Sequence, residues 1–343
     1  MRIGSNPEKI NKSISIENYH RIVIPVYIPN FEGYFKDAFD IFKLCLESLL
    51  LTVHSKSRIT IYNNNSHIDV KNYIDQKYNE SKYIDQVFHS KENLGKINAI
   101  LAAAKGNLEP LITISDADVF FKNGWIEAVE KVFLGFPEAG MVSPVPGSKA
   151  YKVHTSNNWT YAIFKAKLSF QNVLDKDALI NFDRSLGNNK NIYEPIHLQK
   201  YLILENKKTK VQAVMGCGHF VATMRREVFD KGTNGPAFIK IDNGVEGKFI
   251  DLPNEEMGFL RLATKDNYAY HLGNSKEDWM YEEFRKLNLP QTDGAIDAKV
   301  ISHFKQLGDG YKFFGKIILR LLSKKAIKKR CFLYLGLNSK AEY

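Results

Sequence analysis

Two aspartates one residue apart, Asp116 and Asp118, follow directly on the apolar run Leu111 to Ser115 and precede two phenylalanines. A carboxylate is costly to bury unless it is paired or bound to a cation, so acids at the end of an apolar strand predict a partner. On extended backbone, residues two apart project to the same side. A strand end can therefore aim both carboxylates at one hard cation; Mg²⁺ and Mn²⁺ prefer oxygen ligands and often share them with substrate phosphates.

The elements that must hold these acids are legible in the surrounding pattern. Residues 21–29, RIVIPVYIP, form an apolar, β-branched run of strand length, as a parallel strand covered on both faces requires. Phe35, Phe39, Phe42, Leu46, Leu49, Leu50 and Val53 then recur at spacings of three and four, which predicts a helix with one apolar stripe. A second strand over 58–62 ends in the turn cluster Asn63-Asn64-Asn65-Ser66. Further along, 68–78 predicts a helix, 86–89 a short strand, 93–105 a helix stopped at Gly106, and 111–115 the strand before the acids. Strands alternating with helices predict an α/β fold, a mainly parallel central sheet with helices on both faces. Ligands bind such sheets outside the carboxyl ends of the strands. That rule gathers the loop after Pro25-Val26-Tyr27, the Asn63–Ser66 turn, the segment Asn93 to Lys96, and the two aspartates.

These stretches, in this order, resemble the family 2 glycosyltransferases of GT-A fold. Val23 to Tyr27 is similar to their first strand and its nucleotide-binding end, Asn63 to Ser66 to the turn that meets the base, Asn93-Leu94-Gly95-Lys96 to the N-x-G-K segment under the donor, and Asp116-Ala117-Asp118 to the metal-binding DxD. Gly216 to Phe220 with Arg225-Arg226-Glu227 resembles a later strand and helix start on the acceptor side. Asp251 to Leu262 resembles the segment that carries the catalytic base, which would be Glu255, with Glu256 as the alternative. His271, after Tyr268-Ala269-Tyr270, would be a third metal ligand. The resemblance implies an inverting, Mn²⁺- or Mg²⁺-dependent transfer of sugar from a nucleotide-diphosphate donor to a hydroxyl of a glycan or lipid-linked acceptor, as in bacterial surface polysaccharide assembly. Donor contacts are expected from Pro25, Tyr27, Asn63, Asn65, Asn93, Gly95, Lys96 and Asp116, with Lys96, or Arg225 and Arg226, adding positive charge near the diphosphate. The family usually has an acid where Asn63 stands, which leaves the nucleotide open. A sugar-phosphate nucleotidyltransferase predicts a Gly-rich loop with an arginine after the first strand, and 27–33 lacks one. A silent scaffold of the same fold predicts a broken DxD or a missing base.

The implied domain plan is a catalytic domain over 1–275, with a nucleotide-binding half over about 20–125, an acceptor-side half over about 140–275 and a helical insertion over about 148–211. A C-terminal helical region over 276–343 follows. The net charge of +10 lies mostly in that region: 312–330 holds eight Lys or Arg and no acid, leaving +2 elsewhere. Phe313, Phe314, Ile317, Ile318, Leu321 and Leu322 recur beside Lys312, Lys316, Arg320 and Lys324. Such a basic amphipathic helix, over about 311–330, suits an anionic membrane interface; nucleic acid would call instead for base-stacking aromatics. Three well-separated cysteines suggest neither a disulfide framework nor a zinc site. No apolar run reaches eighteen residues, and the first residues lack the apolar stretch of a secretory signal. A cytoplasmic protein, peripheral on the inner face of the membrane, is the resulting expectation.

Overall fold

The computed structural model describes residues 3, 4, 6, 14–187, 192–232, 235–240, 244–288, 296–337 and 343. Its first half alternates strands and helices: β1 (His20–Val26), α1 (Ala38–Thr52), β2 (Ser57–Asn64), α2 (Ile68–Glu80), β3 (Ile84–Ser90), α3 (Lys96–Lys105), β4 (Leu111–Ser115), β5 (Val119–Phe121), α4 (Trp125–Gly135) and β6 (Ala139–Ser143). The second half carries α5 (Ser156–Phe164), β7 (Ala166–Asn172), α6 (Lys176–Ser185), β8 (Lys200–Asn206), β9 (Gln212–Met215), β10 (Val221–Arg225), α7 (Arg226–Lys231), α8 (Leu252–Glu256), β11 (Leu260–Ala263) and β12 (Ala269–His271). Helices α9 (Asp278–Arg285), α10 (Ala298–Ile301), α11 (Asp309–Leu322) and α12 (Lys325–Tyr334) close the chain.

Ten strands form one sheet in the order β3-β2-β1-β4-β10-β6-β11-β9-β8-β7. The sequence-expected block β3-β2-β1-β4 is parallel throughout. Strand β10 enters antiparallel between β4 and β6, β11 returns parallel to β6, and β9, β8 and β7 continue antiparallel to the edge. Every residue of β4 is buried, as are all but one of β1, because helices cover both faces. On one face α1 buries Ile41, Phe42, Leu46 and Leu49; on the other α3 buries Ile97, Ala99, Ile100 and Ala103. Truncating an aromatic of this core such as Phe42 to alanine would cost about 3–5 kcal/mol.

The parallel register brings the carboxyl ends of β1, β2, β3 and β4 to one edge, with Val26 beside Asn63 and Asn64 beside Ser90. A separate two-stranded ladder pairs β12 with β5, placing His271 opposite Val119. The segment expected as a helical insertion does supply helices α5 and α6, and it also supplies β7 and β8, which extend the sheet. Trp159 to Leu168 is not one helix: it ends at Phe164, and Leu168 lies in β7. Helix α11 docks on α5 through Gly315, where a Cβ would sit 1.8 Å from the Ser156 carbonyl oxygen. Only glycine permits that approach.

Candidate functional site

The cleft lies where the sheet rule placed it. A cavity of about 310 Å³ at the carboxyl edge is lined by Pro25, Tyr27, Asn64, Asn93, Gly95, Lys96, Asp116 and Asp118, with Tyr34 and Phe35 from the loop before α1. Asparagines build its rim. Asn64 Oδ1 accepts from the Leu94 backbone N–H at 2.9 Å, Asn64 Nδ2 donates to Asn93 Oδ1 at 2.8 Å, and Asn93 Oδ1 also accepts from the Gly95 N–H at 2.9 Å. Gly95, at φ 86°, turns the chain into α3. A Cβ there would meet the Lys240 backbone at 2.9 Å, so the turn is reserved for glycine. The N-terminus of α3, with its free N–H groups and positive dipole end, thus borders the cleft, a setting suited to phosphate.

Asp116 and Asp118 face this space from the end of β4. Asp116 Oδ1 is 2.5 Å from Lys96 Nζ, and the same ammonium is 3.4 Å from Glu246 Oε1. The neighbouring carboxylates outweigh desolvation and raise the Lys96 pKa, so it remains an ammonium. His271 Nε2 lies 3.5 Å from Asp118 Oδ2, and its Nδ1 is 2.9 Å from Ser185 Oγ. One ligand atom from each of Asp116, Asp118 and His271 fits within 4.8 Å of the others. Asp118 Oδ1 is sealed from solvent without a hydrogen-bond partner among the described residues. Burial, reinforced by Asp116 and opposed by His271, holds the Asp118 pKa above the usual carboxylate range. An acid that resists ionisation and keeps an unsatisfied oxygen is one that a cation would relieve. Two carboxylates and an imidazole with room for further oxygen ligands fit Mn²⁺ or Mg²⁺.

The structure brings Pro25, Tyr27, Asn93, Gly95, Lys96, Asp116 and Asp118 to one cleft, with His271 beside Asp118. It does not bring the remaining expected residues there. Asn63 turns inward: its Oδ1 accepts from the Ser66 N–H at 2.9 Å and its Nδ2 is 3.0 Å from His89 Nδ1, so Asn64 takes the position on the cavity wall. Asn65, at φ 67°, serves the left-handed turn and is exposed outside the cavity lining. Arg225 and Arg226 sit at the opposite end of the sheet, Arg225 pairing with Leu111 at the start of β4 and donating to the carbonyls of Ala139 and Ile301. Arg226 pairs with Asp230.

The two expected bases are engaged elsewhere. Glu255 is buried, accepting from the Ser156 N–H at the start of α5 at 2.8 Å and lying 3.5 Å from His154 Nδ1. Burial alone would raise its pKa, but these donors hold it down at about 2, which makes it a poor proton acceptor. Glu256 pairs with Lys312 at 2.5 Å. A second acid besides Asp116 that reaches Lys96 is Glu246, which sequence reading missed. It stands at the start of a helix running to Glu256 with a wide π turn over Gly247–Asp251.

Residues 22–233 match the profile of Glycosyl transferase family 2, and the chain belongs to that family. It is accordingly a glycosyltransferase, an enzyme that transfers sugar from a nucleotide-sugar donor. No curated protein matches it. Among solved structures it is similar to residues 1–349 of S. aureus TarS, at 12% identity over 89% of this chain and 72% of that one with a TM-score of 0.44. It is also similar to GalNAc-T7 with UDP, GalNAc and Mn²⁺, at 15% identity over 75% of this chain and 44% of that one with a TM-score of 0.47.

Proposed function

We propose that this glycosyltransferase uses a divalent cation held by Asp116, Asp118 and His271 to move a sugar, with inversion, from a nucleoside-diphosphate donor to a hydroxyl of a glycan or lipid-linked acceptor. The observation that carries the reading is the grouping of these three side chains within 4.8 Å, with an unsatisfied Asp118 oxygen, where Asp116 and Asp118 line a cavity bordered by the α3 N-terminus. The cation, Mn²⁺ or Mg²⁺, would neutralise charge developing on the diphosphate. Lys96 adds a second positive charge on the same side, oriented by Asp116 and Glu246. Pro25, Tyr27, Asn64, Asn93 and Gly95 shape the donor cavity, and the rings of Tyr27, Tyr34 and Phe35 offer apolar faces to a nucleobase. Inverting transfer is one in-line displacement, so the acceptor must enter opposite the diphosphate and lose its proton to a nearby base.

The C-terminal helices favour a membrane-bound setting for the acceptor. Helix α11 spends Gly315 and Leu322 on docking, yet Phe313, Phe314, Ile317 and Leu321 stay exposed among Lys316, Arg320, Lys324 and Lys325. Exposed Ile163 and Phe164 of α5 lie beside it, the Phe164 ring 6.3 Å from Tyr311. No helix among the described residues is long and apolar enough to cross a membrane. An apolar face ringed by cations suits the anionic inner surface, where lipid-linked intermediates of surface polysaccharide assembly would be met. The test of the donor site is calorimetric titration of nucleoside diphosphates into wild type and Asp118→Ala. Mn²⁺-dependent binding that disappears in the variant supports the site, and equal binding in both sinks it.

A further inference from the structure

A second group of titratable side chains is joined to the cleft residues Asp116 and Lys96 through Phe220 and Glu246. His219 lies in the loop between β9 and β10, one residue before Phe220, whose carbonyl accepts from the Asp116 N–H at 2.8 Å and whose ring stands 5.2 Å from that of His271. His219 Nδ1 is 3.1 Å from Asp251 Oδ2, and that same oxygen is 3.1 Å from Arg261 Nη2. Asp251 and Arg261 are buried, whereas the His219 side chain is 36% exposed, and its Nε2 has no hydrogen-bond partner among the described residues. An Nδ1–H donated to a fixed carboxylate leaves Nε2 as the lone-pair nitrogen.

Its neighbours form a closed circuit of contacts and chain segments that includes Lys96 and Asp116. Asp116 contacts Lys96, Lys96 contacts Glu246, the π turn leads from Glu246 to Asp251, Asp251 contacts His219, and His219 leads through Phe220 back to Asp116. The π turn joins residues five apart, so Glu246 and Asp251 come to one side of the helix. Such turns and left-handed non-glycine residues cluster at functional positions. Both occur here, for His154 has φ 51° and its Nε2 lies 3.7 Å from where a Cβ on Gly247 would sit. His154 is the weaker candidate, because its partner Glu255 is 3.5 Å away and already accepts from the α5 N-terminus.

We propose that His219, positioned by Asp251, accepts the proton of the attacking hydroxyl. The inference rests on the donor-site reading above. The acceptor O–H bond breaks and its proton passes to Nε2. The oxygen bonds the anomeric carbon while the bond from that carbon to the diphosphate breaks, its electron pair leaving on the nucleoside diphosphate. Asp251 stabilises the imidazolium and keeps its own charge, and Nε2 returns its proton to water after product leaves.

Water can stand in for the unidentified acceptor. The experiment measures Mn²⁺-dependent release of nucleoside phosphates from UDP-, GDP-, CMP- and dTDP-sugars by wild type, His219→Ala and Asp251→Asn, with calorimetric nucleotide binding and melting temperature in parallel. His219→Ala should bind nucleotide and Mn²⁺ as wild type does, release product about 10²- to 10⁴-fold more slowly, and recover part of the rate in added imidazole. Asp251→Asn should lower the rate less, since it misorients the ring without removing it. An unchanged rate, a loss with no rescue by imidazole, or wild type that binds a donor yet never hydrolyses it would each overturn the base assignment while leaving the donor site standing. Wild type that binds no nucleotide with Mn²⁺ would instead overturn the donor reading, and this inference with it.

Discussion

Two histidine and carboxylate clusters lie toward opposite ends of the parallel strands, and they differ in what is left over. In the core, Glu130 Oε1 meets His20 Nδ1 at 2.8 Å and His54 Nε2 at 3.0 Å, and Glu130 Oε2 accepts from the Tyr19 hydroxyl at 3.1 Å. His20 Nε2 completes the set with Thr113 Oγ1 at 2.7 Å, and His54 Nδ1 with Ser57 Oγ at 3.1 Å. All three residues are fully buried. At the cleft, Asp116, Asp118 and His271 have similar residue types and similar spacing, but they are partly exposed and Asp118 Oδ1 remains unsatisfied. Both groups have metal-ligand geometry, yet only the second has coordination left to give. Satisfied polar networks hold a core in one arrangement; unsatisfied ones await a ligand.

The comparison can be broken from its structural side first. Replacing Glu130 with alanine strips two buried histidines and a tyrosine of their acceptor, and should cost about 3–5 kcal/mol by denaturant titration; a loss under 1 kcal/mol would show that the core network is not structural. Glu255 sharpens the contrast, because it is a buried acid whose oxygens are spent on the fold. With a folded pKa of about 2 against an ordinary 4.5, its ionised form stabilises the protein above pH 4.5, and that stability is lost as pH falls from 4.5 to 2. Glu255→Gln should therefore lower stability at pH 7 by about 3 kcal/mol at most and flatten the acid limb of the stability curve. A variant with the wild-type acid limb would contradict the assignment.

Effects on the cleft side should spare the fold. Asp118→Asn is expected to weaken Mn²⁺-dependent nucleotide binding about 100-fold or more, some 2.7 kcal/mol, while the melting temperature of the free protein stays level or rises as a destabilised carboxylate is removed. His271→Ala, which loses one ligand of three, should cost about tenfold in the same titration. Smallest in effect on catalysis, Phe313→Ser with Ile317→Ser should leave stability and donor hydrolysis unchanged while releasing the protein from anionic vesicles in a sedimentation assay. Equal sedimentation of variant and wild type would remove the membrane reading.

Why some of this was legible in the sequence and some was not follows from the range of the interactions. The β1 to β4 block announces itself because β1 and β4 are apolar on both faces and α1 shows its stripe locally. Asp116 and Asp118 stand out because acids follow directly on a buried strand. His271 is expected only through the family resemblance, and the ladder of β12 with β5 sets it opposite Val119. Asn63 and Asn64 are adjacent and alike in type, and only the bonds to Ser66 and His89 decide which of them turns inward. The pairing of His219 with Asp251 could not be read from sequence, because the two lie 32 residues apart and meet only once β10 enters the sheet between β4 and β6. On α11 the sequence shows one broad apolar surface; packing on α5 divides it into a docked face and an outward one.

Calorimetric titration of UDP, GDP, CMP and dTDP into the wild-type protein, once with Mn²⁺ and once with EDTA, tests the central claim that the Asp116, Asp118 and His271 cluster joins a cation to a nucleotide donor. The account predicts that at least one nucleotide binds with Mn²⁺, at least tenfold more weakly with EDTA, and that Asp118→Asn behaves in Mn²⁺ as wild type does in EDTA. Nucleotide affinity that is the same with and without the metal would contradict it.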